Sequence, residues 1–324
     1  MDRQASTQGM AEGRSVRVLI TGGAGMLGRA LTTAWARIRP EDDLIGLSRS
    51  DADLRDRVST RAAFQAARPD LVLHTAARVG GIAANIAAPT EFLSDNLRID
   101  TNVIETAREA GVADLVYFGS SCMYPRDYRQ PLVESDILAA PLEPTNEGYA
   151  IAKIAGAKLC EYASRQYGLN YRVLIPSNLY GPNDHFTSVA SHLVAAAIYK
   201  AHVAKTTKAA FIDVWGDGTA RREFTYVGDV ADWVATHVPN VADWAQLMNV
   251  GLGTDYSVAD FYRQALATVD YEADLRFDST KPAGMQQKLM DSSLAARHGW
   301  APVTDIPEGM KRSYMAFLES AGGQ

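Results

Sequence analysis

The sequence predicts an α/β fold, a doubly wound parallel sheet followed by a second, smaller domain, on three observations. From Val16 onward, short apolar runs alternate with helix-length amphipathic segments, the pattern of repeated βαβ units. A glycine-rich turn, Gly22-Gly23-Ala24-Gly25-Met26-Leu27-Gly28, falls at the first strand-to-helix junction. Beyond Tyr180-Gly181-Pro182 the regular alternation weakens. Composition agrees, since the 324 residues are 47% apolar and 22% charged with 25 Gly and 13 Pro, as in a globular chain of about two domains.

Strands are expected at residues 16–21, 44–47, 71–74, 115–119, 172–175 and 248–250. Each is short and nearly continuously apolar, the character of strands covered on both faces. Helices are expected between them at residues 26–38, 60–67, 97–110 and 149–167, where apolar side chains recur at helical intervals. Right-handed crossovers then wind the sheet on both faces. Residues 183–226 mix one helix, 191–201, with loops and a strand at 211–215, whereas 227–253 return to the sheet. The expected division is therefore 16–182 plus 227–253 for the first domain and 183–226 plus 254–324 for the second, packed around a cleft. Residues 1–15, polar and without the apolar stretch of a secretory signal, are expected to form a disordered tail.

Charge and cysteine content narrow the function classes. Lys plus Arg number 32 against 38 Asp plus Glu, a formal charge of −6. That field repels phosphate backbones, so nucleic acid is not an expected partner. The two cysteines, Cys122 and Cys160, are too few for a disulfide framework and lack metal-ligand spacing, so no metal is expected and a reducing, cytoplasmic location is. Uncharged stretches such as 186–199 fall short of the roughly 18 apolar residues of a membrane span.

The glycines of the first turn, Gly22, Gly25 and Gly28, let backbone approach a pyrophosphate seated at a helix N-terminus. This is the dinucleotide-binding arrangement of a Rossmann-type sheet, and the G-x-x-G-x-x-G spacing points to short-chain dehydrogenase/reductases. After the second strand, Leu47-Ser48-Arg49 places an arginine where NAD enzymes carry a ribose-binding carboxylate, which favours the 2′-phosphate of NADP. Taken alone, Arg49 is equally a solvated surface residue. Asp53 and Leu54 are candidates for the adenine.

Tyr149-Ala150-Ile151-Ala152-Lys153 puts a phenol and an ammonium one turn apart on a helix. A neighbouring cation is expected to lower the tyrosine toward useful acid–base range. Ser120, at the end of the fourth strand, supplies a hydroxyl that holds a carbonyl oxygen while the tyrosine delivers its proton.

With these residues on the page, the chain resembles the extended short-chain dehydrogenase/reductases and, within them, the GDP-L-fucose synthase family. The resemblance runs from about Val16 to near the C-terminus. It is carried by Ala76-Ala77-Arg78-Val79-Gly80-Gly81-Ile82, Gly119-Ser120-Ser121-Cys122-Met123-Tyr124-Pro125, Glu143-Pro144-Thr145-Asn146-Glu147, residues 149–158 and Asn178-Leu179-Tyr180-Gly181-Pro182. It implies that Tyr149 is the proton donor to a sugar C4 oxygen, Ser120 its partner, and Lys153 the residue that binds the nicotinamide ribose and tunes Tyr149. It makes Cys122 the epimerisation base and His192, on the 191–201 helix, the companion acid. Apart from the resemblance, a free cysteine is most often a small buried hydrophobe. NADP(H) would also meet Met26, Leu27, Ala76, Ala77, Pro176, Asn178 and Leu179. The sugar nucleotide would meet Asn178 and, in the smaller, sugar-nucleotide-binding domain, Lys200, Trp215, Arg222 and Lys288.

The implied activity is NADPH-dependent 3,5-epimerisation and 4-reduction of GDP-4-keto-6-deoxy-D-mannose, by a homodimer. One departure stands out: the family's Lys-Pro-Asp appears here as Lys281-Pro282-Ala283. Ala283 accepts no hydrogen bond from a guanine edge, a loss of about 1–3 kcal/mol if the partner is left buried. Alternatives are a 4-reductase, with or without partial epimerisation, of a related sugar such as a GDP-6-deoxy-heptose, and a non-catalytic NADPH-sensing protein.

Overall fold

Six strands lie side by side in a computed structural model that describes residues 14–187, 191–281 and 284–322. They are β1 (Arg17–Thr21), β2 (Asp43–Leu47), β3 (Leu71–His74), β4 (Asp114–Phe118), β5 (Asn170–Pro176) and the later strand Leu247–Val250, in the order β2-β1-β3-β4-β5 with Leu247–Val250 at the far edge. Every pair is parallel. The order reverses between β1 and β3, so a crevice opens beyond their carboxyl ends, where open sheets bind ligands.

Period-two side-chain alternation sorts the strands into two cores. On one face Leu19, Val72, Leu115 and Val173 pack with Phe64, Val103, Ile104 and Ile154. These come from α2 (Arg57–Ala67), α4 (Pro89–Glu109) and α5 (Glu147–Tyr167), with the short α3 (Ile82–Ala87) preceding Pro89. On the other face Val18, Ile20, Leu73 and Val116 meet Leu31 and Trp35 of α1 (Met26–Ile38) and Val230, Trp233 and Val234 of the helix Val227–His237.

The structure departs from expectation at element ends. The second strand is an edge strand with only intermediate or exposed residues, not one covered on both faces, and Asp43 on it pairs with Arg17 in solvent. Helix α4 begins at Pro89 instead of residue 97, because its first turns bury polar side chains that break the apolar rhythm. Asn96 there clamps the backbone of Arg78, accepting from its N–H at 2.8 Å and donating to its carbonyl at 3.1 Å.

The remaining elements complete the large sheet and build a second layer beyond the crevice. They are β6 (Asn178–Tyr180), α6 (Leu193–Thr207), β7 (Phe211–Trp215), β8 (Arg221–Tyr226), α7 (Val227–His237), β9 (Leu247–Val250, the sixth strand above), β10 (Asp255–Ser257), α8 (Val258–Val269), β11 (Asp274–Asp278), β12 (Gln287–Lys288), α9 (Ser293–Ala296) and α10 (Ile306–Gly322). Strand β8 lies between β10 and β12 and also pairs with β6, while β7 pairs with β11. Their core joins Ile198, Ala201, Val214, Phe224, Phe261 and Leu266.

Helix α5 crosses β4 at Gly156, where an added Cβ would lie 2.5 Å from the Tyr117 hydroxyl and 2.9 Å from Asp100 Oδ2. Overpacking of this kind costs about 1–3 kcal/mol. Gly156→Ala should therefore lower the urea midpoint of unfolding, and an unchanged midpoint would show that the helix has room to shift.

Candidate active site

The glycine turn is built by close backbone approach. Gly22, directly after β1, has φ +73, and an added Cβ would sit 2.9 Å from the backbone of Ala76. Gly28, in the first turn of α1, would place a Cβ 2.3 Å from the Gly22 carbonyl. Gly25 starts α1 without a side-chain cap, so the turn is open to an anionic ligand. It forms one end of a cavity of about 750 Å³.

Along this cavity lie Gly22, Gly25, Met26, Leu27 and Gly28, then Ala76 and Ala77, with Arg49, Asp53 and Leu54 on one side and Lys153, Pro176, Asn178 and Leu179 toward the far end. Arg49 is an exposed rim residue. Asp53 is already engaged: Arg55 donates to its two carboxylate oxygens at 2.9 and 2.7 Å and holds its carboxyl down to about 2. It therefore offers the cavity a neutralised edge.

Ser120, Cys122 and Tyr149 close the far end. Ser120 follows β4 and begins the single turn Ser121–Met123, its Oγ accepting from the Cys122 N–H at 3.2 Å. It acts on the Tyr149 hydroxyl, in the first turn of α5, as a neighbour that lowers it. Burial, and after it the charges of Cys122 and Asp100, push the Tyr149 hydroxyl well above its ordinary value, with Ser120 opposing. The expected lowering by Lys153 is thus corrected, because desolvation dominates and Tyr149 is held as a neutral proton donor. Lys153 Nζ instead donates to the Phe118 carbonyl at 3.0 Å and faces Asp100 at 3.8 Å.

Cys122 is half-buried, and its Sγ accepts from Asn146 Nδ2 at 3.1 Å. Cys160, in contrast, is wholly buried in the core. His192 lies one residue before α6, as its N-cap, and not on the helix as expected. Its ring is exposed to the cavity, and Asp184, whose carboxyl burial pushes up, feels the opposing charge of His192.

A second cavity of about 280 Å³ adjoins the first and shares Cys122, Asn146, Asn178 and His192 with it. Lys200, Trp215, Arg222 and Lys288 are on its wall. Burial lowers the Lys288 ammonium, and Cys122, Glu223 and Glu143 favour its charge. Arg222 is likewise lowered by burial, with Glu143 and Cys122 opposing. Both cations therefore lie within electrostatic reach of Cys122. Lys200 donates to the Asp213 carbonyl at 2.7 Å, and Asn178 to the Glu223 carbonyl at 3.1 Å. Ala283 lies outside the described residues.

Sequence reasoning passed over Glu143 and Asn146, which line the second cavity although both stand in the quoted Glu143-Pro144-Thr145-Asn146-Glu147 stretch. Their signal was present but carried no role. Among the described residues no group of three His, Cys, Asp or Glu is placed to hold a metal ion, and no helix is long and apolar enough to cross a membrane.

Comparison with known proteins adds ancestry to this geometry. The model of the NAD dependent epimerase/dehydratase family matches residues 18–251. The chain is 40% identical to GDP-L-fucose synthase of Azorhizobium caulinodans, over 94% of this chain and 97% of that one. It is 37% identical to GDP-L-colitose synthase of Yersinia pseudotuberculosis, over 94% and 98%. Among solved structures, the GDP-mannoheptose C4 reductase of Campylobacter jejuni with NADP bound superposes with a TM-score of 0.84 at 30% identity, covering 94% of this chain and 98% of that one.

Behind Arg222 and Lys288, Glu223 is 1% exposed and accepts from the N–H groups of Gly253 at 2.7 Å and Met290 at 3.0 Å. Burial pushes its carboxyl up to about 7. A carboxyl raised on folding contributes stability that is full below its unfolded value, about 4.3, and is lost as pH rises through the folded one. Stability should thus fall by up to a few kcal/mol between about pH 4.5 and 8 through this group. Glu223→Gln should flatten that slope in urea titrations run across the range, and an unaltered slope would assign it to other groups.

Proposed function

Because the chain belongs to the NAD dependent epimerase/dehydratase family, we propose that it is an NADPH-dependent 3,5-epimerase/4-reductase that converts GDP-4-keto-6-deoxy-D-mannose to GDP-L-fucose. The observation that carries this reading is the shared wall of the two cavities. Cys122 and His192 line both, and Ser120 and Tyr149 stand beside them in the larger one.

The fit to the cofactor rests on the glycine turn, where Cβ atoms at Gly22 and Gly28 would collide with backbone, and on Arg49 at the rim for a 2′-phosphate. NADPH, when bound, supplies the hydride that reduces C4. Residues of the large sheet hold it, with Lys153 at the nicotinamide ribose. Residues 183–226 and 254–324 contribute most of the sugar-nucleotide wall, where Arg222 and Lys288 meet the diphosphate and Trp215 and Lys200 extend the site.

Epimerisation uses the acidity of carbons flanking a ketone. Cys122, as thiolate, takes the proton from C3 or C5, and the C–H electron pair moves into an enolate whose oxygen is held by Ser120 and Tyr149. His192 returns a proton to the opposite face, which inverts the carbon. In the reductive step Tyr149 gives its hydroxyl proton to O4 as the hydride reaches C4, and solvent restores that proton. The neutral state of Tyr149 suits it to this donation.

A second reading, a 4-reductase of a GDP-heptose, draws on the similarity to the C. jejuni reductase. The presence of both Cys122 and His192 on the wall favours the bifunctional enzyme. The same reading makes the protein a cytoplasmic homodimer, and analytical ultracentrifugation would test the dimer against a monomer. Supplied with NADPH and the GDP-keto sugar, the wild-type enzyme should consume NADPH and yield GDP-L-fucose. Cys122→Ser should slow its formation by at least about 100-fold with NADPH affinity intact, and Tyr149→Phe should slow reduction by about 10²–10⁴-fold. A product alcohol with the original configuration at C3 and C5 would reduce the protein to a simple reductase.

A further inference from the structure

Behind the catalytic face, Lys153 meets buried polar residues, Asp100 and His74, that the reaction above does not use. Asp100 on α4 is 1% exposed, Lys153 on α5 2%, and His74 at the end of β3 0%. The two oxygens of Asp100 are differently engaged. Oδ2 accepts from the Tyr117 hydroxyl at 2.6 Å. Oδ1 faces His74 Nε2 at 3.1 Å and Lys153 Nζ at 3.8 Å. Lys153 Nζ also donates to the carbonyl of Phe118, two residues before Ser120, and lies 4.5 Å above the centre of the Tyr117 ring.

An isolated charge costs far too much to bury, so a carboxylate and an ammonium at this depth are ionised together or not at all. Burial alone would raise the Asp100 carboxyl, but Lys153, the facing His74 and the hydrogen bond from Tyr117 outweigh it and hold the group ionised. Burial pulls Lys153 down, with Asp100 opposing. The other titratable neighbours carry no charge in neutral solution. Burial keeps His74 neutral, and it raises Tyr117 on β4, as well as Tyr149 and Cys160 on α5. The Thr21 hydroxyl lies 2.8 Å from His74 Nδ1. Thr21 immediately precedes Gly22, so one chain of polar contacts runs from the glycine turn through His74 and Asp100 to Lys153.

We infer that Asp100 is the positioning residue of the reaction: its carboxylate is the buried counter-charge that fixes the Lys153 ammonium against the Phe118 carbonyl, while His74 ties that pair to the cofactor turn. Asp100 touches neither cofactor nor sugar and acts only through Lys153. The inference rests on the proposed function to the extent that Lys153 is taken to hold the nicotinamide ribose.

The experiment follows Lys153 in protein labelled with ¹³C at lysine Cε, its signal assigned by its loss in Lys153→Met, with NADPH affinity measured alongside. Neither readout needs a sugar substrate, so a wrong sugar assignment leaves both intact. In Asp100→Asn, Lys153 should titrate at least about one pH unit lower than in wild type, and NADPH should bind at least about tenfold more weakly near the new midpoint. An unshifted Lys153 titration would overturn the inference. Where Asp100→Asn does not fold, the double variant Asp100→Asn, Lys153→Met removes both charges at once. Its folding supports the pairing, and its failure to fold would overturn the inference by making Asp100 a requirement of the core itself.

Discussion

A carboxylate and an ammonium that water does not reach, Asp100 and Lys153, stand where four elements of the nucleotide-binding sheet converge. Neither charge is tolerable in the core without the other. Their meeting demands that α5 lie close against β4, and Gly156, one turn beyond Lys153, gives that room. The same approach sets Tyr149 beside Ser120, because both α5 and the Ser120 turn are positioned on β4. Catalytic geometry at the cavity floor is thereby inherited from an electrostatic requirement of the core beneath it.

Above that floor, the chemistry is arranged by division of labour along one wall. Tyr149 lines the larger cavity, and desolvation holds its hydroxyl in the neutral form. The Cys122 side is polar. Its sulfur receives a hydrogen bond from Asn146 and lies in the field of Lys288 and Arg222. In the proposed reaction the same two cations, which line the second cavity, meet the diphosphate of the sugar nucleotide. The two cavities meet at this wall, so a keto sugar need not leave between the loss of a carbon-bound proton and the reduction of its ketone.

Much of this was legible before any coordinates. Buried parallel strands announce themselves by apolar runs, and β3 and the start of α1 fall where periodicity puts them. The glycine turn was legible because only glycine serves at Gly22 and Gly28. Elsewhere the sequence is silent for a physical reason. A charged residue inside a helix pattern, such as Asp100, reads as solvent-facing, since partnership across four elements leaves no local trace. Tyr149 and Lys153 share helix α5, but Lys153 Nζ turns to the Phe118 carbonyl and the shift of Tyr149 is set by burial, which spacing does not encode. The first turns of α4 were missed because Asp95 and Asn96 are buried polar residues. Ala283 raised the question of guanine recognition from sequence alone, and it stays a question of chemistry at that position.

The central claim is that one wall both exchanges carbon-bound protons and reduces the ketone. It is tested most directly by incubating the enzyme with NADP⁺, which supplies no hydride, and GDP-4-keto-6-deoxy-D-mannose in D₂O, then weighing the recovered keto sugar by mass spectrometry. Two deuterons, at C3 and C5, with the ketone intact are expected in the wild-type enzyme and none in Cys122→Ser. A keto sugar recovered from the wild-type enzyme without deuterium would contradict the claim and leave Cys122 and His192 as bystanders of a simple reductase.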